Sequence, residues 1–205
     1  GCSPDAPTNQ SGPYYWPMAR GPIGSFSTSP FKGPSDLKSS LKWSWTTPEG
    51  KYRGSTSNGA SLIDDKKNIY TMWLPDVYKF SPDGRVMWRY HIGPFANDVP
   101  ALYDGHLYSI EADGHLIAIN METGLLAWRS EPVCSWTETH PSKCHAECDC
   151  KSIGLDIGAL AAVNGVVTFK THQPPAGGAC KVMGANATTG EFLWDYATDH
   201  MIWNY

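Results

Sequence analysis

The densest group of side chains able to do chemistry lies between Cys134 and Cys150. It holds His140, Cys144, His145, Cys148 and Cys150, with Cys134 just upstream. Thiolates and imidazoles are the ligands that a tetrahedral zinc site takes, four at a time. His172 could join such a set after folding. The spacing argues against zinc, because Cys144-x3-Cys148-x-Cys150 lacks the paired Cys-x2-Cys elements of a zinc knuckle or ribbon. Disulfides answer the pattern better. Cys2 and Cys180 bring the cysteines to six, an even number. The excursion from Glu131 to Ile157 has no apolar period, so it needs staples to hold a shape. Cys134 and Cys150, near its two ends, could pair, and Cys180 could tie it to the segment that follows. The spacing leaves the connectivity open.

Other reactive groups occur singly. His91, His106, His115, Asp156 and His200 have no nucleophile elbow or ordered triad around them, so no catalytic residue is expected. His106 and His115 each follow a glycine turn and read as hydrophilic strand-end residues. Asp83, Asp104 and Asp113 precede glycines, where Asp serves backbone geometry. Gly177-Gly178 is followed by neither a lysine nor a helix pattern, so a phosphate loop is excluded. Two sequons, Asn9-Gln10-Ser11 and Asn186-Ala187-Thr188, offer glycosylation sites. With the cysteines they point to an oxidising, extracytoplasmic compartment: secreted, periplasmic or an organelle lumen, the thylakoid lumen included. Gly1-Cys2 resembles the end of a bacterial lipobox, although processing would leave the cysteine first. The net charge is −4, with no basic stripe, which argues against nucleic acid as a partner. The longest apolar stretch, Ile157–Phe169, is too short to span a bilayer.

The elements that must carry these residues are short strands. From Val99 to Arg129 the turn signals Asp104-Gly105, Asp113-Gly114 and Thr123-Gly124 separate apolar runs around Leu107, Ile117 and Leu126. That is an antiparallel meander of tight hairpins. An earlier unit repeats it through Ser57–Asp65, Asn68–Trp73, Asp76–Gly84 and Arg85–Ile92. A later one runs through Gly158–Gly165, Val166–His172, Lys181–Gly190 and Glu191–Ala197. Each unit places a glycine four residues before a tryptophan: Gly84/Trp88, Gly124/Trp128 and Gly190/Trp194. The spacing from Trp45 to Trp88 is 43 residues and from Trp88 to Trp128 is 40. Four strands recurring at such a period predict an all-β protein, a β-propeller of four-stranded antiparallel blades. An immunoglobulin-like sandwich, the main rival, lacks repeats with matching Gly–Trp offsets. In this reading the glycine supplies positive φ, and the tryptophan opens the outermost strand and packs between blades. Leu41–Trp45 is expected to be a first strand. Residues 1–40 form an extended Pro/Gly/Ser-rich arm, and the blades occupy 41–205 with a Cys-rich insertion at about 131–157. The island Tyr14-Tyr15-Trp16 is too apolar for a free tail and is expected to dock on the blades.

These residues resemble the PQQ-like, or quinoprotein-type, repeat family. Its repeat pattern, A-x-[ND]-x-x-T-G-x-x-x-W, is matched by Ala118 to Trp128. Asn186–Trp194 matches its second half, and Ser81–Trp88 a shorter form with Pro82-Asp83-Gly84. Trp16–Gly21 and Leu41–Trp45 resemble the entry segment of such propellers. The resemblance implies seven or eight blades where about three are present, so the ring is incomplete: either a remainder is expected elsewhere or an open arc must bury its two end blades against something else. Alcohol-oxidising members hold a quinone under two adjacent cysteines, with calcium on a Glu, an Asn and an Asp. This chain has Cys148-Asp149-Cys150 instead of adjacent cysteines, and no acidic residue matches the calcium ligands. No cofactor is therefore expected; PQQ with calcium, or zinc, is the alternative. The expected role is a non-catalytic scaffold or accessory subunit that binds protein partners, with a membrane complex as host. A fragment of a quinoprotein dehydrogenase is the runner-up, and a metal-binding propeller is the third reading.

Overall fold

The computed structural model describes residues 14–22, 32–48, 61–73, 75–93, 99–111, 113–133, 160–171 and 181–197. The described residues form twelve strands in three antiparallel four-stranded sheets, each in sequence order. Unit 1 holds β1 (Leu62–Ile63), β2 (Ile69–Trp73), β3 (Asp76–Phe80) and β4 (Val86–His91). Unit 2 holds β5 (Ala101–Tyr103), β6 (His106–Ile110), β7 (His115–Asn120) and β8 (Leu126–Pro132). Unit 3 holds β9 (Ala161–Val163), β10 (Val166–Thr171), β11 (Lys181–Asn186) and β12 (Phe192–Ala197).

Turn chemistry sets this layout. The hairpins β5–β6 and β9–β10 close on Asp104-Gly105 and Asn164-Gly165, all four residues at positive φ. Paired positive φ matches the twist of the flanking strands in a two-residue hairpin. The last hairpin of each unit closes on Gly84, Gly124 or Gly190, again at positive φ. Each is followed by a register shift at the same place: Lys79/Phe80, Ala118/Ile119 and Gly184/Ala185. In units 2 and 3 the repeat's Asn shapes the turn. Asn120 Oδ1 accepts the backbone N–H of Glu122 and Thr123, and Asn186 Oδ1 accepts those of Thr188 and Thr189. The sequon at Asn186 thus sits inside an architectural turn; Asn9 lies outside the described residues.

The core lies between units rather than within them. One apolar cluster joins units 1 and 2 through Leu62, Tyr70, Val77, Leu102, Leu107, Ile117 and Ile119. A second joins units 2 and 3 through Tyr108, Leu116, Leu160, Val167, Phe169 and Met183. A sheet covered on both faces has no wet side, so β3 is buried along its whole length, Lys79 included. The first strands converge on the inside of the arc, where Leu160 N–H donates to Val99 O at 2.9 Å. Outer strands β4 and β8 alternate exposed and half-buried residues.

Two expectations change. Leu41–Trp45 is not a strand, because none of the described hydrogen bonds pairs its backbone with a neighbour. Trp43, not Trp45, also stands at the repeat position, for it lies on Gly84 as the later tryptophans lie on theirs. In addition, β8 continues through Pro132, and Val133 is buried with its N–H on Gly114 O. The blade therefore runs past Glu131 before the cysteine-rich segment.

The aromatic island of the arm is docked. Trp16 pairs with Ile63 across a two-way backbone bridge, Pro17 O accepts from Leu102 N–H, and Met18 is buried in the second cluster. Tyr14 is buried in the first cluster, with its hydroxyl accepting Gly105 N–H at 2.8 Å. Tyr103 makes the same bond one unit on, to Gly165 N–H at 3.0 Å. The strand register gives unit 1 an Asp64 where unit 2 has Tyr103. The arm thus supplies the tyrosine that unit 1 lacks. Tyr14→Phe is expected to lower stability by about 1 kcal/mol, the worth of one such hydrogen bond, as read from denaturant midpoints.

Candidate functional site

Three kinds of place could carry function: the joints between units, the polar groups at the strand ends, and the segment around the cysteines. Cys2, Cys134, Cys144, Cys148, Cys150 and Cys180 lie outside the described residues, as do His140, His145, Asp156, His172 and His200.

The joints are built alike. Trp43 lies on Gly84, Trp88 on Gly124 and Trp128 on Gly190. The indole N–H of each donates to a carbonyl of the same turn: Trp43 to Pro82 O at 3.1 Å, Trp88 to Met121 O at 2.9 Å and Trp128 to Ala187 O at 3.0 Å. A second donor reaches two of these carbonyls. Lys79 Nζ donates to Met121 O at 2.7 Å and Tyr108 Oη to Ala187 O at 3.2 Å. Lys79 is 1 % exposed, under the ring of Tyr70. Burial pulls its ammonium below the usual lysine range. These groups hold blades together.

The polar groups of unit 2 gather at the β6–β7 hairpin. Glu111, Asp113 and His115 place their ligand atoms within 4.8 Å of one another. Two carboxylates and an imidazole could hold a divalent cation, but a fixed cation already stands there. Arg129, from β8, donates to Glu111 at 2.6 Å and also to Asp113. His115 Nδ1 lies 2.8 Å from Asp113. Partial burial opposes ionisation of Asp113, but His115 and Arg129 outweigh it and hold the carboxyl below its usual range. Stability linked to Asp113 is therefore complete above the ordinary carboxylate pKa of about 3.9 and is lost as pH falls through the lower folded value. Arg129→Met is expected to flatten the acid limb of the melting-temperature profile, by about 0.5 kcal/mol given how exposed the pair is.

Tyr90 Oη donates to Glu111 at 3.0 Å. Burial first, then the Glu111 charge, pushes the phenol up to about 12. Glu111→Gln is expected to return it part of the way toward 10, with burial still acting, as read by ultraviolet titration. The other histidines serve locally. His91 faces Asp76, which also meets Arg89, and His106 Nδ1 faces Asp104 O. The reading of His106 and His115 as strand-end residues agrees with these positions. The sequence reading missed the Arg129 cluster and the buried Lys79.

A family model of PQQ-like repeats, described as outer membrane protein assembly factor BamB, matches residues 42–201. The chain belongs to this PQQ-like repeat family. No curated protein matches it. Solved structures with a similar fold include the quinohemoprotein alcohol dehydrogenase of Comamonas testosteroni, at 17% identity over 70% of this chain and 21% of that one, TM-score 0.52. A europium-containing methanol dehydrogenase matches at 16% identity over 77% of this chain and 27% of that one, TM-score 0.53. A quinohemoprotein alcohol dehydrogenase of Pseudomonas putida HK5 matches at 20% identity over 68% and 20%, TM-score 0.50. These likenesses show an incomplete propeller of the PQQ-like kind. The repeat protein spans between 20% and 27% of the length of those structures.

The first strands offer Leu62, Ile63, Ala101, Leu102 and Ala162, none of them a cation ligand. The edge of β1 and β5 is taken by Trp16 and Pro17. The carboxylates of Glu111 and Asp113 are paired with Arg129. No helix among the described residues is long and apolar enough to cross a membrane.

Proposed function

We propose that this protein is a non-catalytic scaffold or accessory subunit, working outside the cytoplasm, that binds protein partners of a membrane-associated assembly through its propeller loops. The observation that carries this reading is the family match over residues 42–201, whose description is an assembly factor of the outer membrane. The chemistry of the described residues supports it. Among the described residues, His91 and His115 each face a local aspartate and His106 a local carbonyl. Buried Lys79 is taken up by a blade joint. Chemistry at such a site would need a reactive group facing a cavity, with its pKa tuned for the task.

The runner-up, part of a quinoprotein dehydrogenase, rests on the fold likeness alone, and folds of this kind host unrelated functions. A dye-linked assay on the whole protein, with PQQ, calcium and primary alcohols, separates the two. The expected result is no alcohol-dependent dye reduction, with the protein recovered from mild detergent extracts in a complex of fixed stoichiometry. Reproducible turnover that saturates at one quinone per chain would refute the scaffold reading.

A further inference from the structure

The hairpin tips Asp104-Gly105 and Asn164-Gly165 carry a reaction of their own. In each, a side-chain carbonyl carbon stands one ring closure from the next backbone nitrogen, and glycine puts no side chain in the way. If Gly165 N gives its proton to water or hydroxide, it can attack Asn164 Cγ. The N–Cγ bond forms, the Cγ–Nδ2 bond breaks, and Nδ2 takes up a proton and leaves as ammonia. Water then opens the succinimide ring to aspartate or isoaspartate. Asp104-Gly105 can close the same ring with loss of water instead of ammonia. Asn164 and Asp104 are both exposed, so solvent reaches the two side chains.

The structure holds both attacking nitrogens. Gly165 N–H donates to Tyr103 Oη at 3.0 Å, and Gly105 N–H donates to Tyr14 Oη at 2.8 Å. The carbonyl of each glycine is held as well. Gly165 O accepts Ala187 N–H at 2.8 Å, and Gly105 O accepts Met121 N–H at 2.9 Å. Ala187 and Met121 in turn present their own carbonyls to the joint indoles of Trp128 and Trp88. Each clamp therefore crosses between elements: Tyr103 of unit 2 holds the tip of unit 3, and Tyr14 of the arm holds the tip of unit 2. Ring closure needs the nitrogen to swing toward Cγ and to lose its proton. Both steps break the bond to the phenol, while positive φ at both residues of each tip keeps the turn closed.

We propose that Asn164-Gly165 is a deamidation site gated by the joint between units 2 and 3, with the Tyr103 hydroxyl as its guard, and that Tyr14 guards Asp104-Gly105 against isomerisation in the same way. Conversion at Asn164 adds a negative charge, and the isoaspartyl product also adds a backbone carbon to a two-residue turn. A joint that has opened long enough to react cannot close on the same bonds. The modification thus records opening of this joint.

Peptide mapping by mass spectrometry of the whole protein, incubated in mildly alkaline buffer, tests this. The mapping resolves Asn164 from Asn58, which also precedes a glycine. Asn164 is expected to convert about 100-fold slower in the folded protein than in the urea-unfolded chain, because reaction waits on local opening. Tyr103→Phe is expected to speed conversion at Asn164 about fivefold, the factor that one lost hydrogen bond carries, and to leave Asp104 unchanged. Tyr14→Phe is expected to speed isomerisation at Asp104 and leave Asn164 unchanged. Equal rates at Asn164 in folded and unfolded chain would overturn the inference, as would an unchanged rate in Tyr103→Phe. A rise at both tips in either variant would also overturn it, since general loosening rather than a guarding hydroxyl would then set the rate.

Discussion

Gly124→Ala is expected to lower the free energy of unfolding by about 2–5 kcal/mol. Two costs add. The residue sits at φ 71°, where a side chain costs about 1–2 kcal/mol. A Cβ there would also lie 2.6 Å from Cγ of Trp88 and 2.8 Å from its Cβ. Neither atom is the free end of a flexible chain, so the joint must open, at about 1–3 kcal/mol. Gly190→Ala, against Trp128, should behave alike. Gly105→Ala provides the contrast. Its φ is 75°, but nothing lies within 4 Å of the added carbon, so only the backbone cost of about 1–2 kcal/mol remains. Urea midpoints on the three variants measure the difference. Equal losses at Gly105 and Gly124 would show that the tryptophan contact contributes little.

Trp128→Ala is expected to cost about 3–5 kcal/mol. The ring lies over Gly190 and against Tyr108, with centroids 5.9 Å apart, and it packs on the cluster between units 2 and 3. Trp128→Phe keeps most of the contact and loses the indole N–H. Ala187 O then still accepts from Tyr108, so the expected cost is about 1 kcal/mol. A near-equal loss in the two variants would make the hydrogen bond, rather than the packed ring, the larger part of the joint. For a chain of this size each kcal/mol moves the melting temperature by about 2–4 °C, so the two outcomes are readily told apart.

Much of the fold is legible because the repeat carries its own punctuation. Gly84, Gly124 and Gly190 stand where only positive φ closes the hairpin, and a tryptophan follows each at a fixed offset. What the offset hides is the partner: every joint tryptophan packs on the glycine of the next unit, not its own. That is why Trp45 looked equivalent to Trp43. Two residues apart on an extended chain, they share a face, and only contact with Gly84 separates them. Lys79 was hidden for a related reason. A lysine within Asp76–Phe80 suggests a wet face, but β3 is buried along its length between unit 2 and the rings of Trp43 and Trp45, and the ammonium is met by a carbonyl of the next unit. The polar cluster of unit 2 depends on Arg129 reaching across from β8 to Glu111 and Asp113, a pairing set by strand register that sequence spacing does not display. Tyr14 stands far from Gly105 along the chain, so its role in place of a missing blade tyrosine emerges only from the docked arm. The cysteine-rich segment has neither period nor turn punctuation, and its ligand or disulfide role stays with its thiol chemistry.

The central claim is that this protein acts by holding partners rather than by quinone chemistry. Native mass spectrometry of the protein, isolated under non-denaturing conditions from its native source, tests it most directly. The account predicts a mass equal to the chain plus protein partners in fixed ratio, with no quinone or calcium adduct. A lone chain carrying one quinone and one calcium ion would contradict it.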